Sequence, residues 1–308
     1  MKSLSELGDE YLQLRRALGH KMEHAARLLP QFVAYLEDIG AESVTIQATL
    51  AWAQSSKGDP APASRAQRLA VAGGFARYLV AIDPRTEVPP ASLLPYPRRR
   101  RLPFIYSPQD IAALMAEARR IQPPLRSATY ETLIGLLAVT GMRVGEAIAL
   151  DRTDVNLAEG VLVIRMSKFG KSREVPLHPS TTEALALYAR KRDEAQLKPK
   201  DTSFFISSRG KRLDDSTVHE TFRRLVDSAG IGVGAPVIPH IHDLRHSFAV
   251  RILVGWYRDG KDVQACLPRL STYLGHLNPH STYWYLSAAP ELLALAARRL
   301  EAGEEDQT

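Results

Sequence analysis

The chain has 308 residues, 45% of them hydrophobic, enough for two ordinary domains with substantial cores. Its single cysteine, Cys266, excludes an internal disulfide framework and fits a reducing compartment. No apolar run is long enough to cross a bilayer and the stretch from Met1 to Arg16 lacks the apolar core of a signal peptide, so a cytoplasmic location is expected. The formal net charge of +6 favours a polyanionic partner, because phosphates attract Lys and Arg at long range.

From Leu4 to Asp83 the pattern is helical. Apolar positions recur at helical spacing in Leu28, Leu29, Phe32, Val33 and Leu36, and again in Leu69, Val71, Phe75 and Leu79. Gly40 and Gly58-Asp59-Pro60 interrupt it, so residues 1–83 read as a small domain of four or five short helices. Pro84, Pro89, Pro90, Pro95, Pro97 and Pro103 exclude regular helix, and 84–103 reads as a stiff, extended linker. Its run Arg98, Arg99, Arg100 and Arg101 is either a solvated charged stretch or a set of phosphate contacts where the linker crosses a nucleic-acid backbone. Residues 104–300 read as a second domain. Ser107 before Pro108 marks a helix start, with helix over 111–121 and again around 127–137. Residues 160–166 and 173–177 read as two strands joined by the turn Phe169-Gly170-Lys171, and 203–206 as a third strand. The remainder is helical to Leu300, with breaks near 230–239 and 278–279, and residues 301–308 form an acidic tail. The expected fold class is mainly α with a small antiparallel β-sheet.

Four segments carry side chains suited to phosphate chemistry. Thr140-Gly141-Met142-Arg143-Val144-Gly145-Glu146 sets an arginine beside two glycines at a helix start. A guanidinium there can approach a phosphate closely, with Glu146 one turn away to orient it; a surface Arg–Glu pair of little worth reads equally well from these residues alone. Ser167-Lys168-Phe169-Gly170-Lys171 puts lysines at the hairpin tip, either in a groove or solvated. In His242-Asp243-Leu244-Arg245-His246, His242 and Arg245 share a helical face, a pairing that can hold a phosphate and move a proton. His242 and His246 are also spaced as in the zinc motif H-E-x-x-H. Asp243, however, is one carbon shorter than the glutamate of that motif, and Arg245 would repel a cation, so no metal is expected. Leu274-Gly275-His276 is followed by Ser281-Thr282-Tyr283-Trp284-Tyr285, whose aromatics on pattern alone read as a packed stripe.

In this order, Arg, Lys, His-x-x-Arg, Gly-His and Tyr resemble the tyrosine recombinases, the lambda-integrase family, and their Xer-like branch across nearly the whole chain. The resemblance implies an N-terminal helical, SAM-like core-binding domain followed by a tyrosine-recombinase catalytic domain. It implies that Arg143 and Arg245 are the two family arginines, Lys168 the hairpin lysine, His242 and His276 the two histidines, Tyr285 the nucleophile and Glu146 a supporting acid. Arg98, Arg99, Arg100, Arg101 and Lys171 are the candidate DNA-backbone contacts. Tyr283 is the rival nucleophile. Two residues along a helix is roughly 200° of rotation, so only one of the two tyrosines faces a given phosphate, and the spacing from His276 favours Tyr285.

The same resemblance implies cleavage and rejoining of double-stranded DNA through a 3′-phosphotyrosine, with no metal or nucleotide cofactor. It also implies a homo-tetramer on DNA, alone or beside sister recombinases, with the C-terminal segment docked on a neighbour. The chain departs from the Xer pattern in a longer stretch around 256–268 and in Leu286-Ser287, which lacks the histidine often found two residues after the tyrosine. Both departures count against Xer-type chromosome or plasmid dimer resolution, and the closing stretch Ser281–Leu300 resembles recombinases carried by mobile elements, so integration or transposition is expected. A catalytically silent DNA-binding relative, a type IB topoisomerase and a zinc hydrolase are the remaining alternatives.

Overall fold

The computed structural model describes residues 2–55, 62–94, 101–165, 172–195, 201–276, 278, 280–288 and 292. It divides into two compact units, Met1–Arg100 and Arg101–Thr308.

The first unit holds α1 (Leu4–Ala17), α2 (Glu23–Asp38), α3 (Ile46–Gln54) and α4 (Pro62–Leu79). Ser3 and Glu6 cap α1 reciprocally, satisfying two of the amides a helix start leaves unpaired. The stripe Leu28, Leu29, Phe32, Val33 and Leu36 on α2 is buried. Phe32 packs on Trp52, ring centroids 4.8 Å apart, and Tyr11 on Phe75 at 5.8 Å. The stretch 84–103, expected as a stiff, extended linker, begins as part of this unit. Glu87 donates its amide to Val44 O (2.8 Å), and its carboxylate accepts from Ile46 N at the start of α3 (2.7 Å). Thr86 is buried and Val88 packs on the core.

The second unit starts with α5 (Pro108–Arg119), capped by Ser107 and Asp110, and α6 (Pro124–Thr140). Then follow α7 (Val144–Ala149), a 3-10 turn at Arg152–Asp154, β1 (Val155–Asn156), β2 (Val161–Ile164), β3 (Arg173–Pro176) and α8 (Pro179–Ala195). It ends with α9 (Asp215–Ser228), α10 (Asp243–Arg258), α11 (Val263–Leu274) and α12 (His280–Ala288). The class is mainly helical with one small antiparallel sheet, as expected. The sheet runs β1-β2-β3, with Leu162 opposite both Val155 and Val175.

The third strand is a correction. It is β1, while Ser203 and Ile206 form only isolated bridges to Asp151 and Arg212. Phe204, Phe205 and Ile206 are consecutive and all buried; a core-spanning loop and a buried strand look alike in such a short apolar run. Helix α8 falls where no element was expected, since only Leu185, Tyr188 and Arg192 of it are buried.

Gly141 closes α6 in the left-handed region (φ +61°) and turns the chain toward Arg143. A Cβ there would lie 2.4 Å from Phe248 Cδ1. Gly141→Ala is expected to destabilise this unit by about 2–4 kcal/mol through backbone strain and overpacking, read as a lowered midpoint in urea denaturation.

Candidate active site

The last carbonyls of an α-helix have no intrahelical partner and form the negative end of its dipole. At the end of α11 three arginines from three other elements supply the missing donors. Arg173 Nε on β3 donates to Tyr273 O (2.9 Å), and Arg245 Nη2 on α10 to Leu274 O (2.7 Å). Arg143 Nη2, at the start of α7, donates to Gly275 O (3.2 Å). Gly275 is left-handed (φ +67°), and a Cβ on it would lie 2.7 Å from Arg173 Nη1. The Leu-Gly-His motif therefore needs its glycine both for the backbone turn and for the guanidinium beside it.

Glu146 ties two of these arginines together. Arg143 donates to it through its backbone amide (2.9 Å) and through Nη1 (2.8 Å). Arg173 grips both carboxylate oxygens, Nη1 to Oε1 at 3.1 Å and Nη2 to Oε2 at 2.8 Å. Burial alone would push this carboxyl up, but the hydrogen bonds and charge of Arg173 and Arg143 outweigh it and hold Glu146 down at about 2. It is a carboxylate throughout the working pH range.

Arg245 is only 2% exposed. Besides Leu274 O it donates to Gly141 O (2.8 Å) and meets His276 Nε2 at 2.9 Å. An arginine has no acceptor, so Nε2 accepts and the ring proton sits on Nδ1, 2.8 Å from Thr282 Oγ1. Burial and then the positive charges of Arg245, Arg143 and Arg173 hold His276 down at about 3. It is neutral at pH 7.

Tyr285 closes the same pocket. It is 2% exposed, its hydroxyl lies close enough to Arg245 to favour the charged guanidinium, and its ring lies 5.9 Å from that of His276. Tyr283 is 46% exposed, on the other side of α12. His242, solvent-exposed at the N-cap of α10, packs its ring against His246 (5.0 Å), and His246 packs against both Trp284 (5.0 Å) and Tyr285 (5.2 Å). Although the residue is open to solvent on one side, the packing of protein around its ring and the adjacent Arg245 lower His242. His246 is pushed down to about 3, first by burial and then by His242 and Arg245, and its Nδ1 is buried with no hydrogen-bond partner among the described residues.

The structure thus gathers Arg143, Glu146, Arg245, His276 and Tyr285 at one place, with His242 at its rim. Lys168, Lys171, Arg98, Arg99 and Arg100 lie outside the described residues. Arg101 pairs with the buried carboxylate of Asp243 and donates to Ile238 O. Among the described residues no group of three or more His, Cys, Asp or Glu side chains is placed to hold a metal ion. Nor is any described helix long and apolar enough to cross a membrane. Sequence reasoning missed Arg173 and Thr282.

Residues 106–291 match the phage integrase family. A Sinorhizobium fredii protein named as integrase/recombinase y4rB is 42% identical over 315 residues, covering the whole of both chains. The chain belongs to the phage integrase family. It is a tyrosine recombinase by family, a class of DNA strand-exchange enzymes. Tyrosine recombinase XerC of Rhodospirillum centenum is 32% identical over 210 residues, spanning 67% of this chain and 56% of that one. Among solved structures, the Tn1549 transposon integrase in complex with transposon right-end DNA shares the fold, with a TM-score of 0.65 at 16% identity over 96% of this chain and 98% of the other.

The two depressed histidines give this integrase-family fold a pH signature. His246 and His276 are neutral when folded, whereas the unfolded chain protonates them near the ordinary value of 6.5. Their contribution to stability is present above about pH 6.5 and is lost as pH falls toward about 3. The thermal midpoint of the free protein is expected to drop on acidification across that window, and His246→Phe to flatten the drop. An unchanged slope in His246→Phe would show that this ring is not held neutral.

Proposed function

We propose that the chain is a site-specific recombinase that cleaves and rejoins double-stranded DNA through a phosphotyrosine at Tyr285, in integration or transposition of a mobile element in the cytoplasm. The observation that carries this reading is the meeting of Tyr285 with Arg245, beside His276, in one buried pocket.

In this reading Arg143 and Arg245 clamp the non-bridging oxygens of the scissile phosphate and stabilise the charge that builds in the transition state. The phosphate takes the place next to Arg245 that the Tyr285 hydroxyl holds in the free protein. Tyr285 Oη attacks phosphorus. Its proton passes to His242, which is neutral at pH 7 and able to accept it. The bond from phosphorus to the 5′ oxygen breaks, and Lys168 protonates the leaving oxygen. The products are a 3′-phosphotyrosine and a free 5′-hydroxyl, and attack by a 5′-hydroxyl of another strand reverses the step. His276 can donate to the phosphate through Nε2 only after gaining a proton there. The phosphate supplies the condition for it, because its charge offsets the arginines that hold His276 down. Arg98, Arg99, Arg100 and Lys171 are assigned to DNA-backbone contacts. Arg101 joins them only by leaving Asp243.

Four protomers act on two DNA sites, alone or with sister recombinases, and the segment after α12 docks on a neighbour. Truncation after Ala289 is therefore expected to weaken pairing of two sites far more than binding of one half-site; unchanged pairing in a mobility-shift assay would remove the docking role. Similarity to XerC makes dimer resolution the second reading, favoured if cleavage maps to a chromosomal dimer-resolution site.

The deciding experiment is covalent trapping on nicked suicide duplexes tiled across DNA flanking the gene, with no metal added. An adduct formed by the wild type and Tyr283→Phe, but lost in Tyr285→Phe, is expected. An adduct lost only in Tyr283→Phe would reassign the nucleophile. DNA binding with no adduct on any duplex would favour a silent relative.

A further inference from the structure

We propose that Arg173 is a positioning residue for strand cleavage, fixing Arg143 through Glu146 and His276 through the carbonyl turn at 273–275, and raising the net positive charge of the phosphate site by offsetting Glu146. The inference rests on the Tyr285 reading above.

The geometry argues for support rather than substrate contact. Arg173 is 13% exposed in its side chain. Its Nη1–Nη2 edge is turned onto Glu146 and its Nε onto Tyr273 O. A two-point arginine–carboxylate pair is a strong and directional hydrogen-bonding geometry. The same guanidinium lies against Gly275, the residue before His276. One side chain therefore holds both the acid that orients Arg143 and the turn that presents His276.

Charge counting gives it a second role. Arg143 and Glu146 alone would form a neutral pair, with the carboxylate cancelling the arginine meant for the phosphate. Arg173 adds a second cation to the one carboxylate, so the trio carries a net +1. The charged groups around Glu146 are Arg143 from the start of α7, Arg173 from β3 and Arg245 from α10, with His276 beyond them after α11. Without Arg173, burial of Glu146 is opposed mainly by Arg143, and its carboxyl rises from about 2. A protonated Glu146 orients Arg143 poorly, so cleavage is lost as pH falls.

The test is single-turnover cleavage between about pH 5 and pH 8, on the duplex with which the wild type forms its Tyr285-dependent adduct. The chains compared are the wild type, Arg173→Met, Arg173→Lys and Arg173→Met with Glu146→Gln, each checked for binding to that duplex. Arg173→Met is expected to bind normally and to cleave slower on the order of a hundredfold at neutral pH, the scale of an ångström of misplacement. It should also show an acid limb beyond the one that protonation of the base His242 gives the wild type. Adding Glu146→Gln should erase the added limb, and Arg173→Lys should recover part of the rate by restoring the charge without the fork. Wild-type cleavage by Arg173→Met would overturn the proposal. So would an equal loss at every pH with Lys no better than Met, which is the mark of a merely structural residue. If Arg173→Met does not fold, Arg173→Lys decides: a reduced rate with the added acid limb supports the proposal, and a wild-type profile overturns it. No wild-type adduct would sink the Tyr285 reading and this proposal together, whereas a wild-type adduct with no added pH effect in the variants sinks this proposal alone.

Discussion

The site depends on how one helix ends. The unpaired carbonyls at 273–275 would be costly to leave unsatisfied near the core. Arginines from β3, α7 and α10 meet that need, and in doing so they are brought to one point. The demand is a backbone one, independent of any ligand, so the cationic pocket is assembled before a phosphate arrives. Preorganisation of this kind lets charge act on a transition state without reorganisation at the moment of reaction.

Gathering several cations has consequences for every titrating group nearby. Glu146 stays ionised in spite of burial, and His276 and His246 stay neutral well below their ordinary range. The tautomer of His276 follows from the same source, since Arg245 can only donate. Thr282 on α12 accepts a hydrogen bond from the Nδ1–H, linking the histidine to the helix that carries Tyr285. The protonation states of the free site are thus set by neighbours rather than by solvent.

Much of this was legible in the sequence where the relevant residues are close in the chain. The pairing of Arg143 with Glu146, the His242–Arg245 segment and the opposite facing of Tyr283 and Tyr285 all follow from helical periodicity over one or two turns. Arg173 was not legible, because its partners lie 27 and 100 positions away and a lone arginine in a short strand gives no local signal. Thr282 was hidden among aromatics that drew attention to themselves. The third strand was misplaced because three consecutive buried apolar residues, Phe204, Phe205 and Ile206, carry no alternation by which to tell strand from loop. The proline-rich stretch was read as a linker on composition, yet Glu87 serves as an anchor for α3, a role only tertiary contact reveals.

That anchoring makes the start of the stretch part of the first unit's frame. The stretch is fastened to the first unit as far as Pro89, which touches Gly73, and to the second from Arg101, which holds Asp243. One residue, Glu87, thus fixes both the path of the chain after α4 and the first turn of α3, so within the first unit neither can shift without the other.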